Sequence, residues 1–179
     1  WNPENTVYPN TSLVLNSDIT TDMTLSGVVL LTNKVYVKNG ATLTILPGTI
    51  IRGDYSTQGT LIITRGSKIY ADGNELNPIV FTSNNPIGQR AEGDWGGLVI
   101  LGNATNNQPG GVANIEGIAP TNDTQHGGNN DNDNSGILRY VRVEFAGIPL
   151  EPNKEINGVT FGSVGNQTLV DYVQVSFSG

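Results

Sequence analysis

An alternation of Asp and Asn near residue 130 is the sequence pattern that most directly suggests chemistry. Residues 131–136 read Asp-Asn-Asp-Asn-Ser-Gly. Side-chain and backbone oxygens in such a run can wrap a hard cation, so Asp131 and Asp133, with Asp123 upstream, are predicted ligands of a structural Ca²⁺. The run lacks the Glu that closes an EF-hand loop, which excludes that motif. The alternative is that these side chains form Asx-turns and stack as ladders without a metal.

Four charged residues near the C-terminal end form a second candidate site. Arg139, Arg142 and Glu144 lie on one predicted strand, and Asp171 lies on its repeat, where we expect it beside Arg139 on the outer face. Arg142 and Glu144 should point the same way, because side chains alternate along a strand. A basic group beside a carboxylate suits a polysaccharide lyase, whereas a glycosidase needs two or three close carboxylates. A salt-bridged outer face explains the same residues without catalysis.

Asp94 and Trp95 are the candidate ligand-binding residues. They stand at the start of a predicted strand, where an exposed indole could stack on the C–H face of a sugar. The alternative is an indole that covers an edge of the fold. His126 is the only histidine, which excludes a site with two His ligands, and we expect it to hydrogen-bond within a loop.

The composition restricts the class of protein that could carry these sites. The chain has 179 residues, a formal net charge of −7 and no Cys. The absence of Cys excludes disulfides, thiol catalysis and zinc–thiolate sites. The acidic balance argues against nucleic acid as a partner, and no apolar run is long enough to span a bilayer. We expect an extracellular or bacterial cell-surface protein whose signal peptide has been removed.

Internal repeats indicate the fold. Residues 137–147 match residues 169–179, and residues 42–54 match residues 60–72. Short apolar segments bounded by Gly, Asn, Asp or Pro are predicted as strands: Ser12–Leu15, Val28–Leu31, Val35–Val37, Ala41–Ile45, Thr49–Arg52, Thr60–Thr64, Lys68–Tyr70, Ile79–Thr82 and Leu98–Leu101. Coils of unequal length predict an all-β parallel solenoid, in which like residues stack about 4.8 Å apart. An antiparallel sandwich is the alternative.

The repeat register makes a local prediction. If residues 137–147 and 169–179 lie on successive coils, Tyr140 stacks on Tyr172 and Phe145 stacks on Phe177.

Several segments resemble known right-handed parallel β-helix proteins. The general resemblance is carried by GATLTILPGTII (40–51), GTLIITRGSKIYADG (59–73) and NPIVFTS (77–83). A more specific one is carried by GDWGGLVILGNA (93–104), IEGI (115–118), GGNNDNDNSGILRYVRVEFAGI (127–148) and EINGVTFGSVGNQTLVDYVQVSFS (155–178). These segments are similar to a family of secreted or surface-anchored β-helix proteins of Bacteroidota, many of them type IX secretion cargo or lipoproteins. The resemblance implies a right-handed parallel β-helix displayed at the cell surface.

We predict an N-terminal cap over residues 1–27 and β-helix coils over residues 28–179, with a loop excursion at 103–136. A solenoid that ends on a strand leaves unpaired backbone groups, so we expect further coils after Gly179, or a partner chain that covers the last coil.

The predicted function is a structural, adhesive or glycan-binding module that is not itself catalytic, with a glycan or a surface protein as partner and Ca²⁺ as the candidate cofactor. The alternatives are part of a polysaccharide lyase or glycoside hydrolase, or a component or cargo of a secretion or surface assembly.

Overall fold

The structure, a computed structural model, describes residues 2–151 and 154–179. Its strands, in chain order, are β1 (Leu13–Leu15), β2 (Met23–Leu25), β3 (Val28–Leu31), β4 (Lys34–Val37), β5 (Thr42–Ile45), β6 (Ile50–Gly53), β7 (Thr60–Ile63), β8 (Lys68–Asp72), β9 (Ile79–Ser83), β10 (Gly97–Leu101), β11 (Ala113–Asn114), β12 (Gln125–His126), β13 (Gly136–Glu144), β14 (Pro149–Glu151), β15 (Lys154–Glu155), β16 (Val159–Gly162) and β17 (Leu169–Ser176). Short 3-10 turns lie at Pro3–Asn5, Pro109–Gly111 and Asn122–Thr124.

These strands wind into a coil with three sides, each side a parallel sheet. The first side stacks β2, β5, β8 and the first half of β13. The second stacks β1, β3, β6, β9 and the second half of β13. Strand β17 pairs with both halves of β13. The third stacks β4, β7, β10 and β16. The chain is a right-handed parallel β-helix, as predicted, and the sandwich alternative is wrong because these sheets pair in parallel.

The predicted strands differ from the observed ones only at their ends. Val28–Leu31 is β3 without change, and Thr60–Thr64 is longer than β7 by one residue. The first two strands lie within the predicted cap: β1 pairs with β3, and β2 pairs with β5. The predicted loop excursion contains the short antiparallel pair β11–β12.

The predicted ring stacking is confirmed. The centroids of Tyr140 and Tyr172 lie 4.5 Å apart with the rings 8° from parallel. The centroids of Phe145 and Phe177 lie 5.2 Å apart. Both Tyr residues have positive φ angles, 49° and 50°, where β13 and β17 turn from the first side of the coil to the second. A non-glycine residue in this left-handed region bends the strand sharply.

Arg139 makes a different ion pair from the predicted one. It is in register with Asp171 on β17, but its guanidinium bonds Asp72 on β8. Its Nε lies 2.7 Å from Oδ1 of Asp72, and its terminal nitrogen lies 2.8 Å from Oδ2. This bidentate arrangement matches the fork geometry of a guanidinium to a carboxylate. The ionic partner of Arg139 therefore comes from β8, on the neighbouring rung.

The inside of the coil is filled by apolar side chains from all three sides. Leu43 of β5, Phe81 of β9 and Leu61 of β7 have no exposed surface. Burial alternates along β5 and β6, as expected for strands with one face inward. Among the described residues, no helix has the length and apolar character needed to cross a membrane.

Candidate functional site

A row of polar residues runs up the outer face of the second side. Arg52 of β6 is in register with Thr82 of β9, and Glu144 of β13 is in register with Ser176 of β17. The Oγ1 hydroxyl of Thr82 donates a 3.0 Å hydrogen bond to Glu144, which joins the two pairs. We call the four residues the Glu144 ladder. Parallel stacking places them on successive rungs.

Glu144 is the most unusual member of this ladder, because its side chain is fully buried. Its Oε2 atom accepts hydrogen bonds from the hydroxyls of Thr82 and Tyr8, at 3.0 and 3.4 Å. Burial raises the pKa of Glu144, and these two bonds with the positive charges of Arg142 and Arg90 oppose that rise. The prediction that Glu144 faces outward is correct, but the prediction of an exposed charged face is wrong at this position.

The N-terminal segment contacts Glu144 through the hydroxyl of Tyr8. We call residues 2–8 the strap. Arg90 holds the strap by donating from one guanidinium nitrogen to the carbonyl oxygens of Pro3 and Thr6, at 2.6 and 2.9 Å. The same guanidinium lies 5.0 Å from the centroid of the Tyr8 ring, a cation–π distance. Burial and the nearby Glu144 carboxylate raise the pKa of Tyr8 to about 12.

Unused hydrogen-bonding capacity is concentrated on the Glu144 ladder. Within residues 2–151 and 154–179, three buried side-chain atoms have no hydrogen-bond partner: Nε of Arg52, Oε1 of Glu144 and Oγ of Ser176. Burial lowers the pKa of Arg52, and the positive charge of Arg90 lowers it further. Native proteins leave few buried polar groups unpaired, so three on one ladder mark this face as a candidate site.

An open cleft adjoins the ladder at the corner between the first and second sides. It has a volume of about 240 Å³. Its lining residues are Glu75, Pro78, Tyr140, Val141, Arg142, Tyr172 and Gln174. We call it the tyrosine cleft, because the stacked Tyr140 and Tyr172 rings form one wall and Tyr172 is 64% exposed. The cleft therefore combines aromatic surface with carboxylate, amide and guanidinium groups.

The four catalytic candidates do not form one cluster. The left-handed turn at Tyr140 leaves Arg139 on the first side of the coil, with Asp171 above it, while Arg142 and Glu144 lie on the second side. The four candidates therefore fall into two pairs on different sides of the coil, Arg139 with Asp171 and Arg142 with Glu144.

Trp95 is a core residue and not an exposed platform. Its side chain has no exposed surface, its ring stacks on Phe81 with centroids 6.4 Å apart, and its Nε1–H donates to the carbonyl oxygen of Glu144 at 2.7 Å. Asp94 is also buried, and its Oδ2 accepts from the hydroxyl of Ser83 and the backbone N–H of Ala91. Both residues shape the turn before β10, because a buried indole and a bonded carboxylate leave no surface for a ligand.

The predicted calcium ligands lie in separate interactions. Asp131 Oδ1 accepts from the hydroxyl and backbone N–H of Thr105, and these bonds lower the pKa of Asp131. Asp123 lies 3.5 Å from Lys38. Asp133 accepts from Asn103 and Ser135. In the described part of the chain, no three His, Cys, Asp or Glu residues are grouped closely enough to hold a metal. Calcium binding by Asp131, Asp133 and Asp123 stays a prediction.

His126 makes the loop hydrogen bond that we expected. Its Nδ1 lies 2.9 Å from the hydroxyl oxygen of Ser163. Partial burial lowers the pKa of His126, and the charge of Arg65 adds to this effect. Both causes favour the neutral imidazole.

The three-sided coil of parallel sheets defines the class, a parallel β-helix. A family model described as a pectate-lyase-like β-helix domain matches residues 16–179. The chain belongs to this family. No curated protein and no solved structure matches the chain.

Sequence reasoning missed the strap, Arg90 and Thr82. Pro3 and Arg90 are 87 positions apart, and the strap lies outside both internal repeats. The only available signal was the position of Thr82 at the end of a predicted strand, where a polar residue is ordinary.

Proposed function

We propose that the chain is a secreted or cell-surface β-helix module that binds glycans in the tyrosine cleft without chemical turnover. The observation that carries this proposal is the stacked pair of Tyr140 and Tyr172 beside Arg142 and Gln174. The C–H faces of sugars pack against aromatic rings, and their hydroxyl groups bond amide and guanidinium groups.

The β-helix scaffold favours binding by such a cleft. Five of its seven lining residues belong to β13 and β17, which pair in parallel. A rigid wall has little conformational freedom to lose when a ligand binds, so more of the contact energy is available for affinity. The resemblance to Bacteroidota surface proteins supports an extracellular location. There, an adhesive role or a place in a surface assembly would use the face that carries the tyrosine cleft.

Replacement of Tyr172 by Ala tests the proposed cleft. We expect the wild-type chain to be retarded in gels that contain one of a panel of polysaccharides (pectate, alginate, xylan and a β-glucan). The dissociation constant of the Tyr172→Ala variant should be about tenfold higher, because an aromatic contact of about 1 kcal/mol and its packing area are lost.

Tyr55 provides the matched control, since it is 57% exposed and lies outside the tyrosine cleft. Tyr55→Ala should bind as the wild type does. Equal weakening by the two substitutions, or no retardation of the wild type by any of the four polysaccharides, would refute the proposal.

A polysaccharide lyase or hydrolase is the second candidate function. The observation that favours it is a carboxyl group with a raised pKa, Glu144, two residues from Arg142 on one outward face. Perturbed carboxyl groups are typical of general acids and bases. In a lyase step a base takes the proton at C5 of a uronate and a C4–C5 double bond forms. The bond from C4 to the glycosidic oxygen breaks, and the departing oxygen takes up a proton from solvent. New unsaturated or reducing ends released by the wild type but not by Glu144→Gln would establish this activity.

A further inference from the structure

We propose that the strap is a detachable cover over a second glycan subsite on the Glu144 ladder, where Tyr8 occupies the position of a sugar ring. The glycan part of this inference rests on the proposed function, and the detachment of the strap does not.

The strap has few attachments. Pro3 is its only buried residue among residues 2–8, and Val7 is 77% exposed. Most of its polar contacts with the coil go through Arg90, which bonds two strap carbonyls and packs on the Tyr8 ring. Segments with little buried apolar surface open at low free-energy cost, so loss of the Arg90 contacts should release the strap.

The contacts of Tyr8 resemble those that a sugar makes in a binding site. Its flat ring lies against the Arg90 guanidinium, and its hydroxyl donates to the Glu144 carboxylate. Carboxylates commonly accept from ligand hydroxyls, and guanidinium groups pack on ring faces or donate to ring substituents. A pyranose offers the same two features, a compact ring and a hydroxyl donor.

A sugar could also use the groups that Tyr8 leaves unpaired. The single hydroxyl of Tyr8 reaches Oε2 of Glu144, while Oε1 of Glu144 and Oγ of Ser176 have no partner. Because leaving a buried polar group unpaired is costly, a ring with several hydroxyls is a better complement to this surface than Tyr8 is.

The proposed subsite is continuous with the tyrosine cleft. Arg142 and Gln174, which line the cleft, are in register with each other, as are Glu144 and Ser176 two positions further along the same strands. Two residues along a strand span about 7 Å, so adjacent units of one polysaccharide chain can reach both places.

The absence of cysteine allows a direct test, because one introduced thiol is a unique probe. Thr82→Cys places a thiol at a buried rung of the Glu144 ladder that Tyr8 of the strap contacts. We compare the rate of its modification by a disulfide reagent in three backgrounds: the intact chain, a chain with residues 2–8 replaced by Gly and Ser, and Arg90→Gln. We expect about tenfold faster modification in the two strap variants, since the strap no longer covers the ladder.

Ser17→Cys, on an exposed turn, is the control and should react at one rate in all three backgrounds. Circular dichroism and melting curves establish that each variant is folded. If the chain with the replaced strap does not fold, the modification rate in the Arg90→Gln background decides the test. Equal rates for Cys at position 82 with and without the strap would overturn the inference.

The same thiol separates the subsite from the proposed function. The polysaccharide that the wild type binds should slow modification at position 82 in the strap variants. Binding that depends on Tyr172 but gives no such protection would overturn the subsite and leave the proposed function intact. A dimer in which each copy places its strap on the Glu144 ladder of the other would also overturn the glycan subsite. The ladder would then be a binding site for a peptide segment.

Discussion

Replacing Trp95 with Ala is expected to lower the free energy of unfolding by about 3–5 kcal/mol, the usual cost of removing a large buried aromatic side chain. The indole has no exposed surface, and it stacks on Phe81 inside the coil. Its loss leaves a cavity between rungs that a stacked sheet cannot collapse to fill. Chemical denaturation followed by circular dichroism measures this difference.

Trp95→Phe separates packing from hydrogen bonding. It keeps an aromatic ring against Phe81 but removes the Nε1–H that donates to the carbonyl oxygen of Glu144. We expect it to cost about 1–3 kcal/mol, because a buried carbonyl loses its side-chain donor and the ring is smaller. A Trp95→Ala variant within about 1 kcal/mol of the wild type would contradict the buried position of the indole.

The burial of Trp95 shows where sequence reasoning was insufficient. The segment Asp94-Trp95-Gly96-Gly97 has no alternation that would assign the indole to the inside or the outside of the coil. Its place depends on Gly53 of β6, where a Cβ atom would overlap the indole. This dependence joins positions 42 residues apart on different rungs, and no local pattern predicts it.

The stacked rings show the opposite case. Tyr140 and Tyr172 could be paired from the sequence because two segments of eleven residues match with a constant shift, and parallel coils place matched residues over one another. The same match of the two segments predicts only part of the Glu144 ladder. The match places Glu144 under Ser176, but nothing in it indicates that the strap and Arg90 cover the carboxyl group.

The second large effect is a pH-dependent gain in stability for Glu144→Gln. The pKa of Glu144 in the folded chain is raised by burial above its ordinary value of about 4.3. Folding therefore favours the protonated carboxyl, so its contribution to stability is fully present below the unfolded pKa. That contribution is lost as the pH rises through the folded pKa.

At neutral pH we expect Glu144→Gln to be more stable than the wild type by about 1–3 kcal/mol, the cost of leaving a buried polar group poorly paired. The amide oxygen of Gln can still accept from Thr82 and Tyr8, so the substitution removes the charge and keeps both bonds. Near pH 3, well below the unfolded pKa of about 4.3, the difference should be close to zero, since the wild-type carboxyl is then protonated in both states.

The measurement is the difference in unfolding free energy between the two chains at several pH values. Asp54 and Asp131 have lowered pKa values and so make both chains lose stability as the pH falls. Because both chains contain these two residues, their effect cancels in the difference. A gain for Glu144→Gln that stays constant with pH, or that grows as the pH falls, would show that the buried carboxyl is not destabilised by its ionisation.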